Sequence, residues 1–169
     1  MNHKAMYLLG TEAPDNSGIL GDCGTPNRGY GDTSVGHGVE WNSDLSGFKT
    51  EDGNLKDGAA VRAQEEYNKA EIAYLQGRPV DAAFYLGAMA HYIGDISVYC
   101  HVGGLDKHHS KYESWMQNKT DQYNDGNFES YLEADGLVRR NPYTAVKMLS
   151  KKITKGGGKI LSAVQMDVG

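Results

Sequence analysis

Between Asp57 and Val98 the chain carries two helical patterns almost end to end, and any fold must accommodate both. From Asp57 to Gln76, the residues Ala60, Ala63, Tyr67, Ala70 and Tyr74 recur at spacings of three and four, which places them on one helix stripe. Gly77 ends that pattern. Pro79 follows, where its fixed φ and missing N–H suit the first turn of a new helix, and Asp81 sits favourably near that helix's positive end. The second pattern runs from Pro79 to Val98, with Leu86, Ala90 and Ile93 as an apolar stripe beside a line of Phe84, Gly87, His91 and Asp95. Small residues at Gly87, Ala88, Ala90 and Gly94 allow a neighbouring helix to approach closely, at some cost in intrinsic helix propensity.

The remaining segments extend an all-α reading. Gly103 and Gly104 break the second helix, a third helix is predicted from Lys107 to Tyr123, a weaker one from Phe128 to Leu137, and a fifth from Pro142 to Thr154. The GGGK run at 156–159 lacks the spacing of a phosphate-binding loop and reads as a flexible break. Residues 14–58 are rich in glycine, include Pro14 and Pro26, and have no sustained apolar period. A loop that long inside one domain is uncommon unless function or a ligand holds it, so Asp15 and His37 within it are candidate metal ligands. At 169 residues and 18.4 kDa the chain, 1–169, is expected to form a single domain around a single core.

Charge and composition narrow the function. A net charge of -5 and a pI near 5.6 argue against a surface for nucleic acid or anionic membrane, which would usually show as a basic stripe. Phosphate chemistry would then draw its positive charge from bound divalent cations. No run approaches the roughly 18 apolar residues of a membrane span, and the AMYLLG run is too short for a signal-peptide core. Cys23 and Cys100 form no CxxC motif, and a disulfide between them would pin the glycine-rich loop beside the second helix.

The chemistry concentrates in AHYIGDISVYCHV and the HHSKYESW that follows it. His91 and Asp95 are four apart and stack on one helix face, so both can reach one metal; His109 and Glu113 repeat the arrangement. His108 ranks behind His109 because only His109 lies one turn from Glu113. His101 is six residues past Asp95 and cannot share its face unless the helix ends first, so it is expected to serve a second metal. A lone histidine on an apolar helix is ordinarily a hydrogen-bonded core residue, and a lone HxxxD pair an ordinary contact. Two such pairs with His101 between them weigh against that reading.

These strings, AAFYLGAMAHYIGDISVYCHV and HHSKYES, resemble the central helices of the bacterial zinc-dependent phospholipase C family, related to the S1/P1 nucleases. The resemblance implies an all-α, multi-helix domain with a long glycine-rich N-terminal loop. It implies a first zinc held by Asp15, His37, His91 and Asp95, with Asp15 as general base, and a second held by His101, His109 and Glu113. Asp95 would bridge toward a further metal. The family's third site needs an N-terminal segment for which this chain has no counterpart before Asp15, and His3 lies too close to Asp15 to supply it. Asn16 and Ser34 stand where the family carries the aromatics that cradle choline, which removes the cation–π contribution.

The implied function is a zinc-dependent phosphodiesterase, a phospholipase C releasing diacylglycerol and a phosphorylated headgroup. Its partners would be a phospholipid substrate and, peripherally, the membrane. Its place would be secreted or extracytoplasmic, although no signal peptide is visible. The alternatives are an S1/P1-type nuclease or 3'-nucleotidase, which would carry aspartate in place of Glu113, and a noncatalytic zinc-binding fragment.

Overall fold

The computed structural model describes residues 2–15, 36–102, 114 and 139–167, with side chains to 156. Its first element was not foreseen. Helix α1 spans His3–Glu12, and the Asn2 side chain caps it by accepting the Ala5 N–H at 2.8 Å. That bond satisfies a donor the first turn would otherwise leave unpaired.

Helix α2 spans Gly58–Leu75 and helix α3 spans Pro79–Ile96, close to the limits read from the sequence. Between them Gly77 adopts φ +71, the Gly77 N–H donates to Tyr74 O at 3.0 Å, and the Arg78 N–H donates to Ala73 O at 2.9 Å. This pair of bonds is the Schellman arrangement, and it turns the chain sharply into α3. Arg78 then pairs with Asp81 in the first turn of α3 at 2.7 Å.

The buried side of α2 is rotated from the expected stripe. Ala59, Ala60, Ala63, Glu66, Ala70 and Ala73 face inward, whereas Tyr67 and Tyr74 are exposed. The alanines win because their small side chains let α3 approach closely. Glu66, fully buried, receives Lys69 Nζ at 2.6 Å and lies 3.5 Å from Arg62 Nη2. Arg62 in turn donates to the Tyr92 hydroxyl of α3 through Nε and Nη2, each at 3.3 Å.

Helices α1 and α3 cross glycine to glycine. A Cβ at Gly10 would overlap the Phe84 carbonyl oxygen, and one at Gly87 would overlap the Tyr7 carbonyl oxygen and lie 3.0 Å from Gly10 Cα. The close approach expected at Gly87 and Ala88 is therefore made by α1. Gly94 differs: a Cβ there would meet nothing within 4 Å.

The glycine-rich stretch also holds sheet structure that the all-α expectation lacked. Strands β1 (Thr50–Glu51) and β2 (Asn54–Leu55) pair antiparallel, and Trp41 bridges to Phe48. The turn is Asp52-Gly53, with φ of 50 and 78, a two-residue hairpin whose backbone demands a left-handed pair. Among the described residues the fold is thus mostly helical with one small hairpin.

Helix α4 spans Pro142–Asp167 and packs on α2, α3 and the Trp41–Phe48 bridge. The Trp41 Nε1–H donates to Ser150 Oγ at 3.1 Å, and the Tyr143 hydroxyl donates to Asp57 at 2.7 Å. The break expected at 156–159 does not occur. Val146, Leu149, Ile153, Ile160 and Val164 keep helical spacing across the glycines. Each residue added to a formed helix gains a hydrogen bond without new nucleation, which offsets a glycine cost of about 1 kcal/mol.

Among the described residues the buried apolar side chains gather in two clusters, and α3 contributes to both. One gathers Phe48, Ala60, Tyr92, Ile96, Val102 and Val146; the other gathers Met6, Ala13, Phe84 and Ala88 beneath α1. Each buried large side chain contributes about 1.5–3 kcal/mol. The helices expected at 107–123 and 128–137 lie outside the described residues. No helix among the described residues is long and apolar enough to cross a membrane.

Candidate metal centre

Three segments deliver side chains to one point. The turn after α1 carries Asp15, the loop entering the hairpin carries His37, and α3 carries His91. The loop is positioned by backbone bonds of the two residues after His37: Val39 N–H donates to His101 O at 2.9 Å, and Ala59 N–H donates to Gly38 O at 3.1 Å. The ligand atoms of Asp15, His37 and His91 all lie within 4.8 Å of one another, so the cluster can hold a metal ion. His37 Nδ1 and His91 Nε2 are 3.1 Å apart, and Asp15 Oδ1 lies 3.7 and 3.6 Å from them. Ligands at zinc-like distances on a tetrahedron are separated by about 3.3–3.4 Å, so this spacing fits three ligands with one position open.

The hydrogen bonding of His91 supports the same reading. Its Nδ1 lies 2.8 Å from the Thr11 carbonyl oxygen. A carbonyl oxygen only accepts, so the hydrogen sits on Nδ1. In the neutral ring the Nε2 lone pair then faces Asp15 and Asp95, an arrangement of acceptors that either a proton on Nε2 or a metal ion among them resolves. Metal-ligating histidines commonly direct their second ring nitrogen to a carbonyl in this way.

Asp95 stands beside the trio. Its Oδ2 lies 2.8 Å from His37 Nδ1 and 3.2 Å from His91 Nε2, while its Oδ1 lies 4.0 Å from His101 Nε2. His101 reaches that position because α3 ends at Ile96: Ser97 Oγ donates to Gly94 O at 2.6 Å, Val98 is extended, and a 3-10 turn at Tyr99–His101 follows. One carboxylate therefore borders the trio on one side and His101 on the other. His109 and Glu113, the other residues expected at a second metal, lie outside the described residues, as does Cys23. Cys100 is half-buried on the 3-10 turn, and His3 is exposed in the first turn of α1.

Burial disfavours the charged form of His91, but the hydrogen bond and charge of Asp95, the Thr11 carbonyl and the charge of Asp15 outweigh it, raising its pKa above the ordinary 6.5. Burial likewise disfavours ionised Asp95, yet hydrogen bonds from His37 and His91 and the charges of His91 and His101 hold it well below the ordinary 3.8. The signs give a pH window for the metal-free chain. His91's contribution to stability is full below 6.5 and is lost as pH rises through its raised value; Asp95's is full above 3.8 and is lost as pH falls through its lowered one. For this pair the metal-free fold is most stable between those limits. Zinc competes with protons for the imidazoles, so zinc should stabilise more at about pH 8 than at about pH 5. Urea midpoints with and without zinc at both values check this, and an equal zinc effect would contradict it.

Two contributors to the site escaped the sequence reading. One is the Thr11 carbonyl, a backbone group without a residue-type signal. The other is Tyr92, fully buried, whose ring centroid lies 5.4 Å from that of His37 and 5.6 Å from that of His91. Its place beside His91 in an apolar helix was the available cue. Compared with protein-family models, curated proteins and solved structures, the chain matches none.

Proposed function

We propose that the chain is a zinc-dependent phosphodiester hydrolase of the phospholipase C type, acting at the glycerol side of a phospholipid headgroup and exported from the cell. The observation that carries the reading is the convergence of Asp15, His37 and His91, with the Thr11 carbonyl setting the His91 tautomer. Asp15, His37 and His91 would hold the ion, with Asp95 beside it. A bound zinc supplies Lewis-acid polarisation of a phosphoryl oxygen and a lowered pKa for water.

The chain's own groups have separate tasks. Asp15 is 71% exposed while the two imidazoles are about a tenth exposed, so Asp15 is the member that faces incoming solvent and substrate. It is placed to orient a water and accept its proton, weakly if it is also a ligand. Asp95 Oδ2 lies 2.8 Å from the same His37 Nδ1 that faces the trio, so it adds a further carboxylate at the ion's position.

The test is hydrolysis by zinc-loaded protein of mixed phosphatidylcholine–phosphatidylserine vesicles, a chromogenic phosphodiester and single-stranded DNA, with metal per chain measured alongside. The phospholipids are expected to be the preferred substrate. Asp15→Asn is expected to lower turnover about 10²-fold or more while lowering zinc content less, since positioned acid–base groups contribute about 10²–10⁴-fold. Equal loss of both would remove the base role. Preference for DNA would move the reading to a nuclease, and inactivity at full zinc occupancy to a structural metal site.

A further inference from the structure

The overall acidity hides a basic face. Arg139, Arg140, Lys147, Lys151, Lys152 and Lys155 follow one another with no acidic residue between Arg139 and Asp167. Helix α4 sorts this segment into two sides. Val146 and Ser150 are buried and Leu149 and Ile153 are half-buried against the core, whereas Met148, Lys152 and Lys155 form an exposed stripe at helical spacing, with Arg139 and Arg140 exposed just before the helix. The net charge of -5 is thus unevenly spread along the chain. The acidic residues lie in other segments, and helical periodicity gathers the cations on one side.

We infer that the basic face of α4 docks the protein on an anionic phospholipid surface. Lys147 and Lys151 have local roles, seated 5.8 Å over the Phe48 ring and 5.4 Å over the Trp41 ring, and Lys151 also lies in the field of Asp44. Arg139, Arg140, Lys152 and Lys155 are therefore the residues assigned to headgroup phosphates. Basic clusters on an amphipathic helix attract acidic lipids by about fivefold in affinity per residue, a gain that falls with salt. Among the described side chains of α4, Val146, Leu149 and Ile153 pack on the core, so the attachment is assigned to the cations and is electrostatic and peripheral.

A lipid surface is favoured over nucleic acid by what surrounds the cations. Single-stranded nucleic acid is gripped by exposed aromatics that stack on bases. Here Tyr143 donates to Asp57, and Trp41 and Phe48 lie under Lys151 and Lys147. The choice of lipid, though not the basic face itself, rests on the phospholipase reading.

The experiment is cosedimentation of the full chain with vesicles of phosphatidylcholine alone and of phosphatidylcholine containing phosphatidylserine. Binding is expected to the mixed vesicles only, to weaken with sodium chloride, and to fall more than about a hundredfold in the R139Q/R140Q/K152Q/K155Q variant with an unchanged melting temperature. A second variant, K152Q/K155Q, reads the effect should the fourfold change disturb folding. His91→Ala is expected to keep vesicle binding while losing hydrolysis, which separates failure of the docking face from failure of the metal reading. Equal binding to both vesicle types, unchanged binding by the variants, or displacement from the vesicles by single-stranded DNA at matched phosphate would overturn the inference.

Discussion

His91→Ala is expected to lose stoichiometric zinc binding and, with it, any zinc-dependent rise in melting temperature. His91 Nε2 lies 3.1 Å from His37 Nδ1 and 3.6 Å from Asp15 Oδ1, and alanine leaves two candidate ligands, one of them largely exposed. Even outer partners of metal ligands cost about 10–100-fold in affinity, so loss of a ligand should exceed about a hundredfold. In the parent chain, zinc bound at this cluster and held at a thousandfold excess over its Kd would stabilise by about 4 kcal/mol. For a domain of this size that amounts to about 8–16 °C in Tm. Calorimetry of zinc binding together with thermal melts provides the check. A variant that still gains several degrees from zinc would show that the ion sits elsewhere.

The second large effect lies outside the metal centre. Gly87→Val is expected to destabilise the fold by about 3 kcal/mol or more and to weaken zinc binding about 10–100-fold, because overpacking at a backbone crossing leaves α1 no way to stay seated. The Cβ alone would overlap the Tyr7 carbonyl oxygen and press on Gly10 and Thr11. Moving α1 away withdraws the Thr11 carbonyl from His91 and carries Asp15 out of the cluster. Gly94→Ala, on the exposed side of the same helix with nothing within 4 Å, is expected to stabilise by about 0.5–1 kcal/mol through reduced chain entropy. Urea unfolding of both variants, with zinc titrations, distinguishes them. Similar stability for the two would remove the helix crossing as a determinant of the site.

The same residues show where sequence reasoning held and where it lost its grip. Gly77 and Pro79 delimit α2 and α3 because their constraints are local: a positive φ for one, a missing N–H for the other. The Asn2 cap and the Asp52-Gly53 turn were equally local signals and went unread, which is why α1 and the hairpin came as additions. Tyr67 and Tyr74 were placed on the buried stripe by spacing alone. Spacing cannot say which of two adjacent stripes a neighbour will cover, and the partner helix chose the alanines.

For the site, the four-residue step from His91 to Asp95 was legible because helix geometry guarantees that the two share a face. Asp15 and His37 are candidates from the long glycine-rich loop and are joined to His91 and Asp95 only by the resemblance; their meeting with His91 is a tertiary event that depends on the α1–α3 crossing and on the loop's bonds to His101 and Ala59. His101 illustrates the division. Its six-residue offset excluded it from Asp95's face if α3 continued, and only the end of α3 at Ile96 and the following 3-10 turn set it 4.0 Å from the carboxylate. By itself the sequence determined helix type, two helix limits and the shared face of the candidate ligands His91 and Asp95 on α3, since those follow from interactions within a few residues. The tertiary structure decided which faces are buried, which backbone carbonyl orients His91 and how the basic residues after Arg139 come to share one surface. Those outcomes depend on contacts between segments distant in the chain, which no local pattern encodes.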